Sequence, residues 1–250
     1  MSLQKTEEID KLINQATVHK QNGDLINAEE CLKKAIEIEP KNIIALINIG
    51  NIYSIKNELE KAKSFFLKAI SIKPDYSYGI FNLALVNEEL GNIELAIKLY
   101  KDAIKNDPEN LGFYYNLSRI DKNFFNFYKV DNILEIVQKK ETSNFNKASG
   151  FFILAQDQKN KNNLKKEFKY LIDAHKYFHF SNEKINNQVS FYWIRFLPKI
   201  IEKLEIPLNH KFNKIKPIFI TGLPRSGSTL IESIISSGKR KILNGGETAI

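Results

Sequence analysis

The sequence predicts a mostly α-helical protein: a right-handed superhelix of stacked helix pairs, followed by the first strand, loop and helix of a P-loop-like α/β domain. Two observations predict it. Residue types recur every 34 positions through the first part of the chain, and a glycine-rich loop stands near the C-terminus between a short β-branched run and an amphipathic helix.

The repeat is visible in several columns at once. Ala28, Ala62 and Ala96 share the period, as do Ala35, Ala69 and Ala103, and Pro40, Pro74 and Pro108. Between them fall Leu32, Phe66 and Tyr100; upstream fall Ala16, Gly50 and Ala84, preceded by Leu12, Leu46 and Ile80. Within each unit the apolar residues come in two helical bursts, split by Gly23, Asn57 or Gly91, which tolerate the left-handed turn that ends a helix. Small residues let the paired helices approach, and the larger residue fills the space between neighbours. Each proline follows the second helix, where its missing N–H costs nothing. A single pair cannot bury its apolar face, so the units must stack.

These columns resemble the tetratricopeptide repeat, over residues 9–42, 43–76 and 77–110. The resemblance implies a right-handed superhelix with a concave groove lined by the first helix of each pair. Asn48, Asn82 and Asn116 recur at a first-helix position that faces this groove in the family, where amides grip the backbone of an extended peptide. The implied partner is a protein or peptide ligand.

A fourth unit starts at Leu111 with Tyr114, Asn116, Leu117 and Ser118 in register and then departs. An aromatic cluster follows, Phe124, Phe125, Phe127 and Tyr128, which reads as packing between irregular helices rather than as a ligand cage. Next comes an amphipathic helix around Ile133 to Val137. Register returns near Ala148, with Phe151, Leu154, Ala155, Leu171 and Ala174 in place and Asn162-Asn163 as the inter-helix turn. The solenoid is thus expected over 1–182, its last part, 111–182, degenerate. Residues 183–214 read as a capping helix, around the apolar run Phe191 to Leu197, and a linker marked by Pro198 and Pro207.

The segment 215–250 reads as the incomplete N-terminal part of a second domain. Ile218-Phe219-Ile220-Thr221 has buried-strand composition and leads into Gly222-Leu223-Pro224-Arg225-Ser226-Gly227-Ser228-Thr229, then a helix from Leu230 to Ser237. Strand, glycine loop and helix make a phosphate cradle, because loop amides and a helix N-terminus both point at an anion. The spacing is that of a nucleotide-binding loop, but Ser228 stands where such loops carry Lys, which argues against a kinase or an ATPase. The cation is Arg225, inside the loop, where its guanidinium offers a fork to phosphate or sulfonate oxygens.

Pro224 to Leu230 resembles the phosphosulfate-binding loop of sulfotransferases, in the form found in tyrosylprotein sulfotransferases and in bacterial sulfotransferases with N-terminal tetratricopeptide repeats. Gly245-Gly246-Glu247-Thr248 is similar to the element that carries the catalytic base in those families. The resemblance implies a nucleotide co-substrate, 3′-phosphoadenosine 5′-phosphosulfate (PAPS), held by Arg225, Ser226, Gly227, Ser228 and Thr229. Glu247 is then the base and Arg225 the cation near the transferring group, with a hydroxyl acceptor and no metal. Protein tyrosine is one candidate acceptor, although Ala249 stands where the tyrosylprotein enzymes carry a further Arg, which weakens the claim of tyrosine specificity and leaves carbohydrate and small-molecule hydroxyls open. The family's domain continues well beyond Ile250, so the chain is expected to be an incomplete form of the enzyme. The alternative is a non-catalytic interaction scaffold with a vestigial sulfotransferase segment.

Composition adds exclusions. With 43% hydrophobic and 26% charged residues the chain is expected to fold. Its net charge of +8 comes from lysines spread along the whole length, with no helix-turn-helix, zinc or RNA-binding pattern, so no nucleic-acid partner is expected. The lone Cys31 rules out an internal disulfide and reads as a packing residue. His175 and His179 stand one helical turn apart without a third ligand, so no metal site is expected. No long apolar run is present, which points to no membrane and a cytoplasmic location.

Overall fold

The computed structural model describes residues 3–181, all within the first of the chain's two compact units, Met1–Phe191. The expected capping helix, glycine loop and Glu247 lie outside the described residues. Among the described residues there is no strand, and no helix is long and apolar enough to cross a membrane.

Three helix pairs come first: α1 (Leu3–Gln21) with α2 (Leu25–Ile38), α3 (Ile43–Ile55) with α4 (Leu59–Ile72), and α5 (Ser77–Glu89) with α6 (Ile93–Asn106). The bend inside each pair is made the same way. Gly23, Asn57 and Gly91 have φ of +79°, +60° and +81°, and Asn162 repeats the device at +55° in the last hairpin. These are residues for which the left-handed region is cheap. Entry into α2 and α3 is fixed by side-chain caps: Asp24 accepts from the Asn27 N–H at 3.2 Å and Asn42 from the Ala45 N–H at 3.0 Å.

Each second helix buries one stripe, made of Ala28, Leu32 and Ala35 in α2, Ala62, Phe66 and Ala69 in α4, and Ala96, Tyr100 and Ala103 in α6. The alanines are fully buried, so they mark the places where helices approach too closely for a larger side chain. Successive first helices also touch one another, α1 on α3 and α3 on α5. First helices therefore form the inner row and second helices the outer one. The buried side chains form two clusters that meet at α5: Leu83 and Val86 belong to the cluster of the first two pairs, Ile80 and Ala84 to the cluster that follows.

A polar group ties pair one to pair two. Glu29 accepts a hydrogen bond from the Tyr53 hydroxyl at 2.8 Å and pairs with Lys33, at 2.7 Å, and with Lys56. Partial burial pushes the Glu29 carboxyl up, but the bonds from Lys33, Lys56 and Tyr53 outweigh it and hold the group at about 2, against an ordinary 4.5. A carboxyl depressed in the folded state contributes stability above its unfolded value and loses it as pH falls through the folded one. Stability is therefore expected to drop between about pH 4.5 and 2. Glu29→Gln is expected to cost about 1–2 kcal/mol at neutral pH, allowing for the solvent around Lys33, and to flatten that stretch of the profile. Thermal melts across this pH range check both.

The regular pattern ends in α7 (Leu111–Ile120). Asp121 closes that helix, accepting from the Asn123 N–H at 2.9 Å, with Lys101 Nζ 2.8 Å away as an ion pair. Burial pushes the Asp121 carboxyl up; Lys101 and the Asn123 N–H more than offset this and hold it below its ordinary value. A single turn, α8 (Phe124–Phe127), and α9 (Val130–Gln138) follow. The aromatic cluster divides here. Phe124 is buried, stacked on Tyr128 at 4.9 Å and edge-on to Phe125 at 5.1 Å, whereas Phe127 is 68% exposed, with Lys101 Nζ 5.1 Å from its ring centroid. Packing accounts for Phe124 but not for Phe127. The chain then forms a long hairpin of α10 (Asn144–Asn160) and α11 (Leu164–Ser181), and α10 packs on α7 and α9.

Candidate functional site

The inner row of first helices is the surface that the fold leaves open. Helix α3 packs on α4, α2, α1 and α5, and buries Ala45, Leu46, Ile49, Ile52 and Tyr53. What remains is one face, Ile44, Asn48, Asn51 and Ile55, spaced as successive turns of a helix. Ile44 and Ile55 are 55% and 57% exposed, and both asparagines are half-buried. The equivalent face of α5 is Tyr78, Asn82, Leu85 and Glu89, with Tyr78 50% exposed.

Of the three asparagines singled out by their spacing, two differ from the third. The side chains of Asn48 and Asn82 make no hydrogen bond among the described residues. Asn116 is occupied: its Nδ2 donates to the Gly112 carbonyl at 2.9 Å and its Oδ1 accepts from Arg119 Nη1 at 3.3 Å. Arg119 also lies 3.9 Å from Glu88, which accepts the Tyr100 hydroxyl at 2.6 Å. Tyr100 is fully buried, and burial followed by the neighbouring Glu88 carboxylate pushes its hydroxyl far above the ordinary tyrosine range, so it acts only as a donor. The α7 end of the row is thus closed by a network of its own, while the α3 and α5 positions keep both the donor and the acceptor of a carboxamide for another molecule.

Ring contacts stiffen the wall beside these amides. Tyr78 meets Phe113 edge-on at 5.6 Å, and its hydroxyl oxygen accepts from Asn110 Nδ2 at 3.2 Å; Phe81 lies 4.7 Å from Phe113, and Tyr115 lies 5.4 Å from Phe152. The periodicity argument did not single out Ile44, Asn51, Tyr78 or Leu85. The signal for them was in the sequence: α3 contains no charged residue at all, which a helix with one solvent-facing side ordinarily carries.

His175 and His179 have ring neighbours. His175 packs edge-on against Phe152 at 5.2 Å and His179 against Phe180 at 6.1 Å. Among the described residues no three His, Cys, Asp or Glu side chains come together as a metal site would need. Arg225, Ser226, Gly227, Ser228, Thr229 and Glu247 lie outside the described residues.

The tetratricopeptide repeat family matches this chain over residues 12–42, 43–76 and 79–110, under half of its length. No curated protein matches it. Among solved structures it is similar to a mutant of the Thermobaculum terrenum O-GlcNAc transferase (18% identity, TM-score 0.47, covering 55% of this chain and 27% of that one). It is also similar to MamA (16% identity, TM-score 0.48, covering 67% and 96%). A third is the second repeat domain of human RPAP3, determined with the HSP70 peptide SGPTIEEVD (19% identity, TM-score 0.44, covering 47% and 98%). This chain therefore spans only about a quarter of the transferase's length, 27%.

Proposed function

We propose that this chain, which carries three tetratricopeptide repeats and folds them into a helical superhelix, works as a protein-interaction module that holds an extended peptide segment along its inner row of first helices. The single observation that carries this reading is the pair of amides at Asn48 and Asn82. They sit at the same place in successive repeats, on the one face that packing leaves open, with both hydrogen-bonding functions unused among the described residues. An extended peptide presents a backbone N–H and C=O at regular intervals, and a carboxamide satisfies one of each. The test is a peptide array probed with the whole chain and with the Asn48→Ala/Asn82→Ala double variant. Peptides that bind the parent chain are expected to bind the variant at least tenfold more weakly, as loss of two backbone bonds requires. An array on which no peptide binds, or on which the variant binds as well, defeats the reading.

A second reading rests on sequence alone, on Gly222 to Thr229 and Gly245 to Thr248. In it Arg225 and residues 226–229 hold PAPS, and Glu247 accepts the proton of an acceptor hydroxyl as its oxygen takes the sulfuryl group from the donor phosphate. The repeats then present the acceptor. Calorimetric titration of PAPS into the chain and into Arg225→Ala separates the readings: saturable heat that the substitution abolishes supports sulfuryl transfer, and no heat with the parent chain counts against it.

A further inference from the structure

Asn14 stands one 34-residue repeat before Asn48 and so shares the register of Asn48 and Asn82. Its side chain is exposed and makes no hydrogen bond among the described residues. The row one turn earlier changes character along the stack. It reads Asp10 on α1, Ile44 on α3 and Tyr78 on α5, all exposed. Asp10 has no ion pair among the described residues. Glu7, Asp10 and Asn14 line one cavity of about 650 Å³, together with Lys11, Gln15, Val18 and His19.

Register separates the charges that face the groove from those that do not. Ile47 lies close to Gly79 of α5, so the opposite flank of α3, with Ala45, Ile49 and Ile52, is the one turned to the preceding pair. Lys11, Gln15 and Val18 are the equivalents of those three residues and therefore face the end of the described stack. Lys20 stands where α5 has Glu88, which turns toward α6 and accepts from Tyr100. His19 is held by Asp24 at 3.1 Å. Lys5 and Glu8, one of each sign, correspond to Glu39 and Asn42, which precede α3. The turns into α3 and α5 likewise carry one cation and one anion, Lys41 and Asp75. What remains on the inner face is Glu7 and Asp10 on α1 and Glu89 at the far corner of α5, none of them in an ion pair among the described residues. Arg119, at the α7 end, is engaged with Asn116 and Glu88.

An ammonium or guanidinium brought to the α1 end gains Glu7 and Asp10 as partners, whereas a carboxylate there gives up water and meets like charge. Farther along, Ile44, Tyr78 and Leu85 favour apolar side chains by burial. The chain's net charge of +8 is spread along its whole length, and salt screens it beyond about 8–10 Å, so the nearby carboxylates decide. Resting on the peptide-binding reading above, we propose that the groove takes an extended segment with lysine or arginine over α1 and apolar side chains over α3 and α5. Asn14 is then a third amide that holds the ligand backbone, beside Asn48 and Asn82, and Asp10 sets the preference for a basic end.

The experiment uses the whole chain and fluorescent peptides with blocked ends. All share the run Gly-Leu-Ser-Val-Gly-Leu and differ in the pair of residues joined to it, Lys-Lys, Gln-Gln or Asp-Asp, placed at either end. Fluorescence anisotropy is expected to rank them in that order, by about threefold or more at each step, a size that exposed ion pairs allow. The Glu7→Gln/Asp10→Asn double variant is expected to bring the ratio of Lys-Lys to Gln-Gln affinity close to one, and Asp10→Glu to keep it. Asn14→Ala is expected to weaken both peptides alike, by about threefold or more, because it bonds backbone rather than charge. Circular dichroism confirms that each variant is folded. A Lys-Lys peptide that binds no better than the others, a ratio that survives the double variant, or an Asn14→Ala chain that binds like the parent overturns the inference and leaves peptide binding intact. If none of these peptides binds but array peptides do, hits without Lys or Arg overturn the inference alone, and hits with one that the double variant weakens uphold it. Absence of binding by these and by every array peptide takes the peptide reading down as well. A concentration-dependent dimer that Ile44→Lys abolishes, with no peptide bound, identifies a second copy as the occupant and also overturns the inference.

Discussion

Gly150→Ala is expected to destabilise the repeats by about 2 kcal/mol, although alanine ordinarily stabilises a helix interior by about 1 kcal/mol relative to glycine. Gly150 lies within α10 where that helix crosses α7 and α9. A Cβ there meets Val137 Cγ2 at 2.2 Å and Leu111 Cδ1 at 2.8 Å, well inside the roughly 3.5–4.0 Å of ordinary carbon contact. Neither neighbour has an easy way out. Val137 is β-branched and buried in α9, where one χ1 rotamer dominates, and Leu111 is fully buried. The helix itself must move, and overpacking of this kind costs about 1–3 kcal/mol, here at the upper end because two buried groups are struck. Urea melts of the whole chain read the result. A variant as stable as the parent means that α9 and α10 do not approach this closely.

The same helix crossing shows which parts of the fold were legible in the sequence. The three regular pairs were readable because each obeys one 34-residue rule: Gly23, Asn57 and Gly91 at the bends, alanines at the crossings, and Leu32, Phe66 and Tyr100 between them. Local chemistry and global packing agree there, so reading one repeat reads them all. Past Ile120 that redundancy ends. Helix α7 finds its packing partner not in the next helix along the chain but in α10, across the intervening α8 and α9, and only the glycine at 150 hints at it. The aromatic cluster was legible as packing for Phe124, Phe125 and Tyr128 but not for Phe127, which ends the single turn of α8 and faces Lys101.

The candidate site was half legible. Its period picked out Asn48, Asn82 and Asn116 together, because spacing reports where a residue sits on its helix but not who its neighbours are. Asn116 differs from the other two through Arg119, one turn further on, and Gly112, one turn back. The apolar residues at 44 and 78 were hidden by the ordinary expectation that isoleucine and tyrosine in a repeat belong to its core.

The pairing of Gly50 with Phe66 supplies the second large effect, and it is expected to be non-additive. A Cβ on Gly50 meets three atoms of the Phe66 ring at 2.4, 2.8 and 2.9 Å, and that ring is itself 1% exposed. Gly50→Ala is therefore expected to lose about 1–2 kcal/mol net of its helix-propensity gain. Phe66→Leu alone is expected to lose about 1–2 kcal/mol through the space it vacates. Together they recreate the combination already present one repeat earlier, Ala16 with Leu32, both buried in the same cluster. The double variant is then expected to be more stable than the sum of the single losses predicts, by at least about 1 kcal/mol of coupling. Repeat three keeps Ala84 beside an aromatic residue, but there the far end of the ring is fixed by the bond from the Tyr100 hydroxyl to Glu88, a constraint that Phe66 lacks. Additive losses in a double-mutant cycle followed by urea denaturation contradict this account, because the size of the small residue would then be independent of the large one that packs on it.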